Sequence, residues 1–274
     1  MSSPRDADAV FDGSVPELYD RYLVPLIFEE YAADLAERVS DLPAGDVLEL
    51  ACGTGVVTRA LAQTLGPELA ITATDLNQAM LDRAAGIGTS RPIHWRQADA
   101  LELPFPDDSF DAVLCQFGVM FFPDKPRAFA EAHRVLRPGG RLVFNTWGPI
   151  ADNELADVVT MAVGTLWPRD PPVFLDRTPH GYHDPTVILA QLVAGGFDPE
   201  QVGIDMLDCR SVAPVAEDPA IAYCQGTPLR EEIVARDPDA LAHATAVATA
   251  AIVDRFGPGP VDARISGLVV TAAA

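Results

Sequence analysis

Lysine is nearly absent from this chain. Of its 19 basic residues only Lys125 is a lysine, and 40 acidic residues bring the formal net charge to −21. So little positive charge gives no electrostatic reason to lie on a phosphate backbone or on anionic lipid, which argues against nucleic-acid and membrane partners. The preference for arginine, beside abundant alanine, reflects coding bias more than function. Cysteine is scarce as well: Cys52, Cys115, Cys209 and Cys224 form neither a CxxC pair nor a metal-ligand spacing. Three of them sit in apolar runs, where a free thiol behaves as a small hydrophobe, as suits a reducing compartment. No uncharged apolar run reaches the ~18 residues of a membrane span. The opening MSSPRDADAV has no apolar signal region. The expectation is a cytoplasmic protein that works as a monomer or homodimer.

What is present is a globular composition. With 274 residues, 49% of them apolar and 22% charged, the chain can bury one large core, or a core and a cap. Residues 1–40 read as an N-terminal helical lid broken by Pro16 and Pro25, with Tyr19, Tyr22, Leu23, Leu26, Ile27 and Tyr31 at helical spacing. Strand and helix then alternate over 41–148. Strands are expected at Val47–Cys52, Ala70–Asp75, Ile93–Ala98, Phe110–Phe117 and Arg141–Trp147. Helices are expected at Thr54–Leu65, Asn77–Ala85 and Lys125–Leu136, the last closed by RPGG. Such alternation means a parallel sheet covered on both faces. Residues 149–274 read as helical cap insertions plus the last strands of the same domain, drawn from QVGIDMLDCRSV and ISGLVVTAAA. There is no internal repeat.

The chemistry gathers around DVLELACGTGVVTRAL. Gly53 and Gly55 fall between an apolar strand and a helix, where glycine permits a tight turn and a close ligand. Asp75 follows 20 residues after Gly55, placed for the hydroxyls of a ribose. These features alone fit a nicotinamide dinucleotide as well as any other adenosine ligand, although the third glycine of the dinucleotide pattern falls on Thr58. Glu49 tips the balance. A fixed carboxylate would repel a pyrophosphate, whereas a ligand with an ammonium and a sulfonium would welcome it. Asp99, ending the third strand, either reads an adenine amino group beside Leu101 or caps the turn that follows it.

VLELACGTG, Asp75, ADALELPFPDDSFDAVLCQF and RVLRPGG, in this order, resemble class I S-adenosylmethionine-dependent methyltransferases, nearest the branch of quinone-biosynthesis C-methyltransferases and related small-molecule enzymes. The resemblance covers about residues 41–148. It implies an α/β, Rossmann-like seven-stranded, mostly parallel sheet with helices on both faces and the last strand antiparallel, and S-adenosyl-L-methionine as cofactor. By position, Glu49, Ala51, Gly53 and Gly55 would face the methionine part and Asp75 the ribose. Leu76 and Met80 would meet the adenine, Asp99 and Ala100 its edge, and Gln116 and Phe117 the floor near the methyl group. Tyr19 would belong to a lid, unless it and Tyr22 are ordinary helix packing. Ala51 stands where many relatives carry a first glycine; its methyl is expected to tighten the pocket without abolishing binding.

Transfer from a sulfonium is an in-line displacement that needs alignment and exclusion of water, so a catalytic side chain is optional. A hydroxyl acceptor would profit from a base, for which His180 and His183 in TPHGYHDP are candidates against the default of polar loop histidines. Their HxxH spacing lacks further ligands, and no metal is expected. The reading is an enzyme methylating oxygen or carbon of a small organic molecule. The rivals are an NAD(P)-dependent oxidoreductase and a non-catalytic adenosine-cofactor-binding protein.

Overall fold

The computed structural model describes residues 15–274. The first fourteen residues of the expected lid lie outside them. Two compact units emerge. One comprises Glu30–Thr146, Tyr182–Leu207 and Leu268–Ala274; the other takes the N-terminal segment to Glu29 with Trp147–Gly181 and Asp208–Gly267.

The first unit is organised by the sheet. The strands of the sheet are β1 (Gly45–Glu49), β2 (Leu69–Asp75), β3 (His94–Gln97), β4 (Phe110–Gln116), β5 (Leu136–Trp147), β6 (Val202–Ala213) and β7 (Val261–Ala273), in the order β3-β2-β1-β4-β5-β7-β6; the parts of β6 from Asp208 and of β7 up to Gly267 count with the other unit. Every pairing among β1 to β5 is parallel. β4 carries the continuous buried apolar run Ala112–Cys115, as a strand covered on both faces requires. On one face Leu35, Ala36 and Val39 from the helix Glu29–Glu37 region join Val57 and Leu61 of the helix Val56–Thr64 over Val47, Ile71, Leu114 and Val143. Each fully buried aliphatic side chain there contributes about 1.5–3 kcal/mol. The helices Lys125–Val135 and Pro185–Ala194 pack together, and His133 meets the Phe197 ring edge-on, a structural role for that histidine.

Three boundaries depart from the sequence reading, each for a local reason. β1 ends at Glu49 rather than Cys52 because Ala51 adopts a left-handed backbone (φ 50°) that turns the chain out of the sheet. The following helix begins at Val56, since Gly55 at φ 82° cannot join it. The helix before RPGG ends at Val135 rather than Leu136, because Leu136 already pairs with Phe110. Arg137–Gly140 are an irregular stretch within β5, opposite the register shift between Phe110 and Ala112, and there Gly139 and Gly140 exchange hydrogen bonds with Ala274.

The other unit is mainly helical. Its segments are Val15–Leu18, a π-helical stretch Tyr19–Phe28, Glu154–Gly164, Phe174–Arg177, Glu217–Gln225, Leu229–Arg236 and Leu241–Phe256. Pro25 lies inside the π-helical stretch and does not break it. The wider winding already displaces the i→i−4 bonds that a proline interrupts, so its missing N–H is tolerated. The helices Glu217–Gln225 and Leu229–Arg236 are separated at Gly226 to Pro228. Among the described residues no helix is long and apolar enough to cross a membrane.

Candidate functional site

In the order β3-β2-β1-β4-β5 the chain leaves β1 for one side and later returns to the other, so the loops after β1 and β4 diverge. A crevice at the carboxyl ends of the strands follows from that divergence, and it is where open parallel sheets bind ligands. The expected residues of this unit gather there because they end or follow these strands: Glu49 on β1, Asp75 on β2, Gln116 on β4.

The turn after β1 is held by its neighbours on both sides. The Leu50 N–H donates to the Leu114 carbonyl (2.8 Å) and the Cys52 N–H to the Thr74 carbonyl (2.9 Å). The Gly53 N–H donates to Asp75 Oδ2 (2.8 Å), while Asp75 Oδ1 accepts from the Asn77 N–H (2.8 Å). Asp75 therefore ties the glycine turn to the end of β2. The two glycines serve different ends. A side chain at Gly53 would meet nothing within 4 Å among the described residues, which leave space before its backbone at φ 55°. At Gly55 a Cβ would come within 3.1 Å of the Ala84 methyl and 3.4 Å of Trp95, so that glycine permits the turn and close helix packing. The helix Val56–Thr64 starts without a side-chain cap, leaving its first N–H groups available to a ligand.

Glu49 is an ionisable side chain on an interior strand, 1% exposed. The Thr58 hydroxyl donates to its carboxyl oxygen. Burial raises its pKa from 4.5 to about 8, opposed by the Thr58 hydrogen bond and by Arg59, and reinforced by the negative charge of Asp75. Burial likewise raises Asp75, opposed by the N–H groups of Asn77, Gly53 and Leu76. Two acids held with reluctance beside an open glycine turn form a site for positive charge.

Leu76 is 58% exposed immediately beyond Asp75, whereas Met80, on the helix Gln78–Ile87, is buried. Asp99 is exposed, and its Oδ1 accepts from the Leu101 N–H (2.9 Å), so one of its oxygens caps the turn while Ala100 is half-buried beside it. Gln116 ends β4 half-buried; Phe117 is buried, left-handed at φ 47°, and meets the Tyr31 ring edge-on at 5.0 Å. One residue was missed by the sequence reading. Asn145, fully buried on β5, accepts the Phe117 N–H on its Oδ1 (2.8 Å) and so holds the chain in its turn away from β4.

Tyr19 and His180 belong to the helical unit. The Tyr19 ring stacks on Phe28 at 5.2 Å, and Phe28 in turn faces Trp147 at 6.0 Å. His180 is buried against Trp147 with its Nδ1 2.9 Å from the Gly148 carbonyl. A carbonyl only accepts, so Nδ1 carries the proton and Nε2 the basic lone pair. His183 lies in the sheet unit, half-buried. Among the described residues no three His, Cys, Asp or Glu side chains are grouped to hold a metal ion.

Residues 48–144 match the family model described as a methyltransferase domain. The chain is 36% identical over 146 residues to the 2-phytyl-1,4-naphtoquinone methyltransferase of Synechococcus elongatus, an alignment covering 51% of this chain and 62% of the relative. It is 40% identical over 113 residues to the ubiquinone/menaquinone biosynthesis C-methyltransferase UbiE of Pseudomonas fluorescens, covering 39% and 44% respectively. The chain thus spans less than two thirds of the length of these curated relatives. Its fold is also that of Haemonchus contortus phosphoethanolamine N-methyltransferase 2, solved with phosphomonomethylethanolamine and S-adenosylhomocysteine, with a TM-score of 0.62 at 15% identity over 100% of this chain and 60% of that one.

Proposed function

We propose, from the match of residues 48–144 to the methyltransferase-domain model, that this chain is a class I S-adenosylmethionine-dependent methyltransferase acting on carbon or oxygen of a small organic molecule. The observation that carries the reading is the buried acid Glu49, a few residues before a glycine turn that is open at Gly53. A carboxyl held there ionises more readily beside a ligand bearing an ammonium and a sulfonium, and less readily beside a pyrophosphate. A nicotinamide dinucleotide accordingly finds no support.

The residues present fit the cofactor. Among the described residues nothing stands where a Gly53 side chain would be, and in the same turn the buried Thr54 hydroxyl has no hydrogen-bond partner among them. The uncapped N–H groups at Val56 suit the carboxylate of the methionine part, and Glu49 with the turn Ala51–Gly55 suits its ammonium. The Asp75 carboxylate would accept from the ribose hydroxyls, exposed Leu76 would cover the adenine face with Met80 behind it, and Asp99 Oδ2 with Ala100 would meet the adenine edge. Gln116 and Phe117 would line the floor. When bound, the cofactor supplies the electrophilic methyl carbon, and the protein's part is to align the acceptor with it and exclude water.

The names of the relatives, a naphthoquinone methyltransferase and a quinone-biosynthesis C-methyltransferase, favour a ring carbon of a quinol-like acceptor. An electron-rich ring carbon needs little help from a base.

A calorimetric titration with S-adenosylhomocysteine, with NADH in parallel, tests the reading. Micromolar affinity for the first, about −8 kcal/mol, and none for the second is the expected result. Binding of NADH instead would overturn it.

A further inference from the structure

Resting on the cofactor reading above, we propose that Glu49 makes cofactor binding proton-linked: its carboxyl is neutral in the free protein and gives its proton to solvent when S-adenosylmethionine binds.

The argument begins from what faces the carboxyl. Glu49 lies on the central strand β1 and is shut off from water, and the side chain that bonds it is the neutral hydroxyl of Thr58, itself fully buried. Among the described residues four other titratable groups act on it or feel its charge. Asp75, from the end of β2, repels the ionised form. Cys52, in the turn, and Cys115, on β4, are thiols that burial pushes up, Cys115 to about 12, so both stay uncharged near neutrality. Arg59, on the helix after the turn, is the cation that favours ionisation, and its Nη1 donates to the Thr54 carbonyl at 2.7 Å. A buried carboxyl facing a second acid and one partly engaged arginine lacks a compensating charge of its own. Keeping its proton is the cheaper state.

A ligand carrying two positive charges reverses that balance. The sulfonium and ammonium supply the charge that the site withholds, and the ionised carboxyl becomes the favoured form. The proton passes to water, so the exchange balances as protein-COOH plus cationic ligand giving protein-COO⁻ with bound ligand plus one hydrogen ion. The sign of the pH dependence follows. Below the free-state value of about 8, affinity rises with pH by up to about tenfold per unit, and it levels off above. S-adenosylhomocysteine keeps the ammonium but has lost the sulfonium. It should draw out fewer protons and show a flatter pH dependence, so that the same carboxyl helps distinguish cofactor from spent product.

Calorimetry of the full chain near pH 6.5, repeated in buffers of different ionisation heat, counts the protons directly. At that pH the ligand's own ammonium remains protonated. The expected result is release approaching one proton per S-adenosylmethionine, a smaller number for S-adenosylhomocysteine, and none for Glu49→Gln, whose amide still accepts from Thr58. Binding of both ligands without proton exchange would overturn the inference and leave the cofactor reading standing. Release that survives in Glu49→Gln would overturn it in favour of Asp75. Failure of wild-type protein to bind either ligand would overturn the cofactor reading and the inference with it.

Discussion

At the scale of single residues, Ala51 and Gly118 explain one another. Ala51 is one of three described non-glycine residues with positive φ, and a side chain at Gly118 would place its Cβ 2.7 Å from the Ala51 methyl and 2.8 Å from the Cys115 sulfur. The methyl expected to tighten a pocket instead occupies room that glycine vacates across the crevice floor. Gly118→Ala should cost about 1–3 kcal/mol by overpacking. Ala51→Gly should be nearly neutral, because relief of about 1–2 kcal/mol of left-handed strain is offset by the added freedom of glycine in the unfolded chain. The double variant should then recover at least ~1 kcal/mol relative to the sum of the two. Urea unfolding of all four proteins measures this, and strictly additive costs would show that the methyl and the glycine do not share that space.

At the scale of elements, β4 and β5 are locked at their carboxyl ends by one side chain. Asn145→Ala removes the acceptor of the Phe117 N–H and strands a buried donor at a left-handed residue. The cost should be about 1–3 kcal/mol. Exchange of the Phe117 amide hydrogen should accelerate beyond the change in its neighbours, and undiminished protection there would refute the role. This lock marks where the sequence ceased to be legible. The five core strands and the helices between them announce themselves through apolar runs and glycine punctuation, which are local signals. Glu49, Gly53 and Asp75 could be picked out because their spacing follows from one βαβ unit. Asn145 could not, since its partner lies 28 residues away and no pattern around FNTW distinguishes a lock from a polar residue in a strand. Pro25 misled for a related reason: proline signals a break only if the helix has ordinary winding.

At the scale of the molecule, the excess of acid sets two tendencies against each other. The net charge of −21 favours expansion by self-repulsion. Partly exposed pairs oppose it, such as Arg38 with Asp34 and Asp205, and Arg264 with Asp152 and Asp208. Exposed pairs are worth little individually, about 0–1 kcal/mol, and salt screens them as it screens the repulsion. The imbalance of charge should win. Raising sodium chloride from about 20 mM to about 500 mM is therefore expected to lift Tm by ~2–4 °C, or ~1 kcal/mol for a chain of this size. A fall in Tm would mean that the ion pairs outweigh the net charge.

The near-absence of lysine has a further consequence. The ammonium of Lys125 is held at 3.2 Å and 3.0 Å from the Met120 and Phe122 carbonyls and lies 4.8 Å from the centre of the Tyr182 ring. Acylating reagents, amine-directed crosslinkers and enzymes that tag lysines thus find a single side-chain address in the whole sequence, and to use it they must first draw it away from these partners. The protein comes with its own site for attaching one label, and with very little surface for anything that recognises lysine.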